Sequence, residues 1–128
     1  MTPIVVAAAV IERDGRFLVT KRQRGVHLEG FWEFPGGKCQ DGEDHAICLS
    51  RELNEELAVA VRIGDEILAT THSYEDRAVE LHFVRCKLLG NPVPQLGQEM
   101  RWVARGELVT LKFPPADREL IRLLVNEG

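Results

Sequence analysis

Residues 37–59 read GKCQDGEDHAICLSRELNEELAV and contain the most informative pattern in the chain. Glu52, Glu55 and Glu56 are spaced by three and four residues, so a helix turning by about 100° per residue places them on one face. The neighbouring face is apolar and carries Ala46, Leu49, Leu53 and Leu57. The pattern predicts an amphipathic helix that buries its leucines and holds the glutamates at the edge of the core.

Three carboxylates near the end of a helix are electrostatically unfavourable. The backbone dipole disfavours each of them by about 0.3–1 kcal/mol, and repulsion between Glu52 and Glu56 adds to this cost. Arg51 supplies only one compensating positive charge, whereas a divalent cation would neutralise more of the cluster. A solvated charged face is the other interpretation, and the residues before the helix help to choose between the two.

The segment before the helix, residues 31–43, reads FWEFPGGKCQDGE. Its Pro-Gly-Gly run ends a short aromatic strand and lets the backbone approach a neighbour closely. Together with the helix, this segment resembles the Nudix box: glycine, five residues, glutamate, seven residues, arginine-glutamate, an aliphatic residue, any residue, two glutamates, any residue, glycine and an aliphatic residue. Eight positions match in register, namely Gly37, Glu43, Arg51, Glu52, Leu53, Glu55, Glu56 and Val59.

Ala58 is the departure from this box, because the family has glycine at that position. The glycine ends the helix in a left-handed conformation, which costs alanine about 1–2 kcal/mol. The end of the helix is therefore where we expect a local difference, without an effect on the carboxylates.

The resemblance implies both a fold and a reaction. The fold is an α/β/α sandwich, in which a mixed β-sheet lies between helices, and it would span nearly the whole chain as one domain, residues 1–128. The reaction is hydrolysis by water of a pyrophosphate linkage in a nucleotide, with Mg²⁺, or Mn²⁺ in its place, as the cofactor.

The resemblance also implies a role for each residue of the site. Glu55 and Glu56 correspond to the principal metal ligands, and the Gly37 carbonyl to an additional one. Glu52 corresponds either to a third ligand or to the base that takes a proton from water. Arg51 would orient this cluster by ion pairing.

One further metal ligand of the family is missing at its usual place. Many relatives carry a metal-binding glutamate six residues before a tryptophan like Trp102, where this chain has Leu96. Glu99 lies three positions later. Either Glu99 replaces the ligand from a shifted loop, or one metal ion is held more weakly.

Stretches outside the box resemble the MutT-like nucleoside triphosphate pyrophosphohydrolases, including their cytidine-nucleotide branch. These stretches are FWEFPGGK, HSYEDR and FPPAD. The resemblance places a base near Phe34 and Asp117, although Phe34 equally suits the core and Asp117 a helix N-cap. Arg22 would reach sugar or phosphate, or is a surface cation. Asp76 and Arg77 suit a hairpin turn better than direct substrate contact.

Asp117 bears on which base is bound, since the best-known oxidised-guanine enzymes carry asparagine there. An ionised aspartate only accepts hydrogen bonds, so it would favour a base edge that presents N–H donors. The resemblance implies attack at the β phosphorus, which yields a monophosphate and pyrophosphate. Two alternatives remain: another diphosphate-linked substrate such as a dinucleoside polyphosphate, and a non-catalytic nucleotide sensor.

Composition indicates a small globular enzyme. The 128 residues are 45% hydrophobic and 28% charged, enough for one domain with a real core. The net charge of −4 argues against a polymeric nucleic acid partner and leaves a small nucleotide as the expected one. The apolar run at residues 4–11 is too short for a membrane span, so we expect a cytoplasmic monomer or homodimer that does not bind membranes.

Cysteines and histidines show no recognisable spacing. Cys39, Cys48 and Cys86 are odd in number and lack the spacing of metal ligands, which makes a disulfide or a zinc site an unfavoured interpretation. Four histidines are scattered and are expected to be polar loop or sheet residues; they are His27, His45, His72 and His82.

The remaining pattern predicts strands and a final helix. A buried strand is expected over residues 3–12, with a turn at Asp14-Gly15 and a second strand through residues 17–19. Residues 59–71 and 79–83 are expected to pair as a hairpin, and residues 100–103 to form one more strand. Pro114-Pro115 opens an amphipathic C-terminal helix.

Overall fold

A computed structural model describes residues 2–127 and contains seven strands and two α-helices within that range. The strands are β1 (Ile4–Arg13), β2 (Arg16–Lys21), β3 (Trp32–Glu33), β4 (Gly36–Lys38), β5 (Val61–Tyr74), β6 (Arg77–Leu88) and β7 (Met100–Ala104). The α-helices are α1 (His45–Leu57) and α2 (Arg118–Glu127), with 3₁₀ helices at Arg105–Thr110 and Pro115–Asp117.

The strands form one mixed sheet. Its main order is β3-β2-β1-β6-β5, with β4 pairing with β1 and β7 pairing with β2. The pairing of β1 with β6 is parallel, and the other pairs are antiparallel. A single parallel pair therefore sits at the centre, and β1 contacts β2, β4 and β6.

Alternation along β1 divides the core into two layers. Ala7, Ala9 and Ile11 pack with the buried leucines of α1, whereas Ala8 and Val10 pack on the opposite face. That opposite layer includes Leu120 and Leu124 of α2. Side chains two residues apart share one face of a strand, so β1 builds both layers. The predicted sandwich of a mixed sheet between helices is confirmed.

Local turns follow the sequence pattern. Asp14 and Gly15 both have positive φ angles, 54° and 75°, as the two-residue hairpin between β1 and β2 requires. The predicted pairing of residues 59–71 with 79–83 is confirmed as the longer antiparallel hairpin of β5 and β6. The last helix begins later than the proline pair, because a 3₁₀ turn over Pro115–Asp117 precedes α2.

Helix α1 is capped at both ends. The Asp44 side chain accepts a 2.8 Å hydrogen bond from the Ile47 N–H, which satisfies one free donor of the first turn. At the other end Ala58 has φ 50° and ψ 43° and donates its N–H to the Asn54 carbonyl. Ala58 therefore keeps the left-handed conformation that glycine usually provides, and the helix end is not reshaped. Within residues 2–127, no helix has the length and apolar character that crossing a membrane requires.

Replacing Ala58 with glycine is expected to raise the free energy of unfolding by about 1 kcal/mol, because glycine adopts this conformation without a steric penalty. Ala58 is exposed, so no packing is lost. The matched control Ala46→Gly, inside α1, should instead lower stability by about 0.5–1 kcal/mol. Urea unfolding midpoints measure both changes, and a loss of stability in Ala58→Gly would contradict the strain described here.

The cysteine prediction is wrong for two of the three residues. Cys39 and Cys48 form a disulfide, with their Cα atoms 5.2 Å apart. Cys39 follows β4 and Cys48 lies on the inner face of α1, so the packing of the helix on this strand brings them together. Neither the odd count nor the spacing could indicate that contact. Cys86 is buried as a free thiol.

Candidate active site

Glycines of β4 allow the C-terminal half of α1 to pack directly on the backbone. A Cβ atom built on Gly37 would lie 2.5 Å from the carboxyl carbon of Glu52. A Cβ on Gly36, whose φ is +154°, would collide with the backbone of Ala7 and Ala8 on β1. The Pro-Gly-Gly segment thus brings the backbone of β4 against Glu52, and the Gly37 carbonyl lies 3.7 Å from Cys48 Sγ, one helical turn before Glu52.

Arg51 organises the carboxylates around itself. Its Nε and Nη2 atoms donate to both oxygens of Glu43, at 2.7 and 2.9 Å. Nη1 contacts Glu52 at 2.9 Å and Glu55 at 3.2 Å, and Nη2 also donates to the Lys38 carbonyl at 3.0 Å. These hydrogen bonds hold the pKa of Glu43 at about 2. Glu43 therefore fixes the guanidinium, which in turn orients Glu52 and Glu55.

The negative charges of Glu52 and Glu56 are only partly offset by nearby positive charge. Burial raises the pKa of Glu56 to about 8, and the charges of Glu33 and Glu52 add to this effect. Burial also raises the pKa of Glu52, although Arg51 partly offsets it. Glu52 and Glu56 lie four residues apart on one face of α1, so the negative charge of Glu52 helps to raise the pKa of Glu56. Without a cation, the cluster keeps a proton that carboxylates in water would lose.

This arrangement fits a hard divalent cation. The groups brought together are carboxylate oxygens, which are the ligands that Mg²⁺, Ca²⁺ and Mn²⁺ prefer. The carboxylate of Glu52 can lie against the β4 backbone only because Gly37 lacks a side chain. A cation bound by the glutamates would displace the proton of Glu56 and relieve the repulsion among them. Glu56, Glu52, Glu55 and the Gly37 carbonyl are the groups that could hold it.

Glu33 belongs to the site and was not predicted from the sequence. It lies on β3, and burial raises its pKa against the effect of Arg22, whose Nη1 is 2.8 Å from its Oε2. The negative charge of Glu33 helps to raise the pKa of Glu56 and of Asp117, and that of Glu52 helps to raise the pKa of Glu33. The sequence FWEF could have indicated this role. Side chains alternate between the two faces of a strand, so a charged residue between two buried aromatic residues has to face a polar site.

A groove of about 190 Å³ adjoins the carboxylates. Glu33 and Glu56 lie at one side of it, and the Gln98 side chain donates to the Glu56 carbonyl at 3.2 Å. Other lining residues are Thr20, Lys21, Arg22, Gln23, Val26 and Leu96. The groove brings cationic and polar groups next to the candidate metal ligands, as a polyphosphate substrate requires.

Two of the predicted base-contacting residues are buried. Phe34 is 4% exposed and stacks on Phe113 at 5.3 Å between ring centroids, so Phe34 is a core residue. Asp117 is 6% exposed, and burial raises its pKa to about 7, with a contribution from Glu33. An ionised Asp117, as expected from the sequence, would only accept hydrogen bonds. A carboxyl group that titrates near neutrality can instead donate as well as accept a hydrogen bond.

Three predicted residues lie apart from the carboxylate cluster. Glu99 is exposed and pairs with Arg101 at 3.1 Å, whereas its neighbour Gln98 turns towards Glu56. Asp76 and Arg77 contact each other at 3.5 Å in the exposed turn between β5 and β6. The structure thus gathers the box residues and Arg22, and leaves these three on the surface.

Comparisons with known proteins identify the family. A family model described as NUDIX domain matches residues 6–123. The chain belongs to the Nudix family. Nudix relatives include a CTP pyrophosphohydrolase of Escherichia coli, 32% identical over 122 residues, with 94% of this chain and 90% of the relative covered. An 8-oxo-dGTP diphosphatase of Haemophilus influenzae is 33% identical over 126 residues, covering 97% and 93%.

A solved Nudix structure agrees with this assignment. The MutT protein of a methicillin-resistant Staphylococcus aureus superposes with a TM-score of 0.80 at 31% identity, and 99% of this chain and 98% of that one are covered. The chain is therefore a MutT-like Nudix hydrolase. Nudix hydrolases generally use divalent metal ions and act on small nucleotide substrates.

Proposed function

We propose that the protein hydrolyses nucleoside triphosphates, including modified or oxidised ones, to a monophosphate and pyrophosphate with Mg²⁺ as cofactor. The observation that carries this proposal is the cluster of Glu52, Glu55 and Glu56 on one face of α1. Arg51 contacts the first two of these glutamates, and Glu52 packs against Gly37. Relatives named for action on CTP and on 8-oxo-dGTP support it. Bound Mg²⁺ would lower the pKa of water and neutralise charge on phosphate oxygens.

The protein's own residues would divide the remaining work. Glu55, Glu56 and the Gly37 carbonyl would hold the ion, and Arg51 would keep Glu52 and Glu55 oriented. Glu52 would accept the proton of the attacking water, because burial raises its pKa and makes it a better base than a solvated carboxylate. Glu99 is not needed in this assignment.

Substrate contacts would come from the groove beside the carboxylates. Arg22, held by Glu33, would reach the sugar or a phosphate oxygen. Asp117 would read the base as a carboxyl group that both donates and accepts. In that state it resembles asparagine, which removes the sequence-based objection to an oxidised guanine. Phe34 would support this region from the core, while Asp76 and Arg77 would only shape the nearby hairpin.

We also propose the cellular setting. The domain would act as a single unit over residues 1–128, in the cytoplasm, as a monomer or homodimer. Its partner would be a small nucleotide. Its net charge of −4 disfavours polymeric nucleic acid and anionic membranes.

A hydrolysis screen in ¹⁸O-labelled water tests the reaction. Ordinary, oxidised and methylated nucleoside triphosphates are offered with Mg²⁺, and the products are identified by mass spectrometry. Attack at the β phosphorus places the label in pyrophosphate, whereas attack at the α phosphorus places it in the monophosphate. Protein treated with a chelator is the control. Inactivity with every triphosphate would contradict the proposal.

Replacing Asp117 with asparagine should change how stability depends on pH. The folded-state pKa of Asp117 is raised from 3.8 to about 7, so ionisation in this pH range favours the unfolded state. Wild-type stability should therefore fall relative to Asp117→Asn as the pH rises through this window, by on the order of 1–3 kcal/mol, and the difference should be constant above it.

Denaturant unfolding across this pH range measures the effect. The control is Asp65→Asn, which changes an exposed aspartate on β5 and should give no such trend. Parallel stability curves for the wild type and Asp117→Asn would show that Asp117 ionises freely, contrary to its proposed role at the base.

A further inference from the structure

Two histidines that are distant in the sequence meet where α1 packs on the sheet. Their spacing predicts scattered polar loop or sheet residues. His82 does lie on a strand, but His45 begins α1 and the two rings meet. Their ring centroids are 3.9 Å apart, with the ring planes inclined by 34°. His45 is the first residue of α1 and His82 lies on β6, so only tertiary packing creates the pair.

Glu66 completes a cluster with these rings. Its Oε1 atom is 2.6 Å from Nδ1 of His82 and 3.6 Å from Nδ1 of His45. One ligand atom from each of the three residues lies within 4.8 Å of the other two. Glu66 stands on β5 where its register with β6 is irregular, and such irregularities redirect side chains.

A fourth residue fixes the orientation of the His82 ring. Glu80 Oε2 is 3.0 Å from Nε2 of His82, on the side of the ring away from Glu66. A carboxylate that accepts the proton of one ring nitrogen leaves the other nitrogen available as a metal ligand. Nδ1 of His82 therefore faces Glu66 and His45 with the geometry of a carboxylate–histidine–metal arrangement.

We propose that His45, Glu66 and His82 form a second metal site, which binds a divalent transition metal such as Zn²⁺. Two imidazole nitrogens and a carboxylate oxygen suit Zn²⁺, which binds nitrogen at about 2.0–2.1 Å and accepts a water as fourth ligand. The oxygen donors of the box instead suit Mg²⁺. The His45 and Glu66 side chains are 37% and 42% exposed, so an ion can enter from solvent.

This site is separate from the box glutamates. His45 is the first residue of α1, whereas Glu52 lies seven residues later, about 10 Å away along the helix axis. The ligands come from α1, β5 and β6, so a bound ion would join the start of α1 to the β5–β6 hairpin. Because the ion would bind the folded chain and not the unfolded one, it would stabilise the helix that carries the box glutamates.

Calorimetric titration with Zn²⁺ tests the proposal without any measurement of hydrolysis. Excess Mg²⁺ is present throughout, so that the oxygen donors of the box are occupied. The wild type is expected to bind one Zn²⁺ per chain and to unfold at a higher temperature when Zn²⁺ is added. His82→Gln and, independently, His45→Gln are expected to weaken this binding by about 100-fold.

Two controls separate this site from other sources of binding. His72→Gln changes a histidine on β5 outside the cluster and should bind Zn²⁺ like the wild type. Glu56→Gln should also retain Zn²⁺ binding, even where it abolishes nucleotide hydrolysis, so failure of the proposed function and failure of this inference are distinguishable. Absence of saturable binding, or equal affinity in the wild type and both cluster variants, would overturn the proposal.

Discussion

Glu56→Gln is expected to lower kcat for nucleoside triphosphate hydrolysis by about 10³-fold, since it removes a charged ligand from the site where the reaction depends on electrostatics. The same change should not destabilise the fold. Glu56 carries a pKa of about 8 in the folded state because of burial and repulsion from Glu33 and Glu52. A neutral amide of similar shape removes that repulsion.

The sign of the stability change follows from this pKa. The folded state binds a proton at Glu56 over the range from 4.5 to about 8, where the unfolded state has lost it. The free energy of unfolding of the wild type therefore falls as the pH rises through this window. The free energy of unfolding of Glu56→Gln should increase relative to the wild type over the same range.

Steady-state kinetics and denaturant unfolding measure the two effects separately. Glu119→Gln, an exposed glutamate on α2, is the matched control and should change neither quantity. Wild-type turnover in Glu56→Gln would show that the carboxylate is not needed for the reaction. Low activity accompanied by unfolding would mean that its role is structural.

Gly37→Ala is expected to lower kcat by about 10²-fold while leaving the free energy of unfolding nearly unchanged. The added Cβ would lie 2.5 to 2.8 Å from the carboxylate atoms of Glu52. That carboxylate is the end of a flexible side chain, so it can move aside at little cost in stability. Its displacement disturbs the hydrogen bond to Arg51 and moves Glu52 away from Glu55 and Glu56, and small misplacements in an active site have large effects on rate.

Gly106→Ala is the control for this substitution, because a Cβ atom at Gly106 meets no atom within 4 Å. It should alter neither activity nor stability. Wild-type activity in Gly37→Ala would contradict the role given to this glycine. A large loss of stability would place its importance in the packing of β4 and not in the position of Glu52.

Features encoded by local patterns were predictable from the sequence. Helix α1 and its row of glutamates follow from a spacing of three and four residues, and the turn at Asp14-Gly15 follows from the residues themselves. The resemblance to the Nudix box added the sandwich fold, which the mixed sheet confirms. Ala58 was expected to alter the helix end, yet the surrounding structure holds it in the left-handed conformation.

Features that depend on register between distant strands were not predictable. The Cys39–Cys48 disulfide requires α1 to pack on the residues after β4, and the cluster around His82 requires the parallel pairing of β1 with β6. Glu33 joined the site because β3 pairs with β2, which also brings Arg22 to it. Titration of Asp117 near neutrality is a consequence of burial, which no spacing in the sequence reveals.

Titration with Mn²⁺, followed by electron paramagnetic resonance of the free ion, tests the central claim most directly. That claim is that the glutamates late in α1 hold the divalent cation on which hydrolysis depends. Comparing the wild type with the double variant Glu55→Gln, Glu56→Gln isolates the box from any other site. We predict that the double variant loses the Mn²⁺ binding that, in the wild type, supports hydrolysis. An unchanged binding curve would contradict the account.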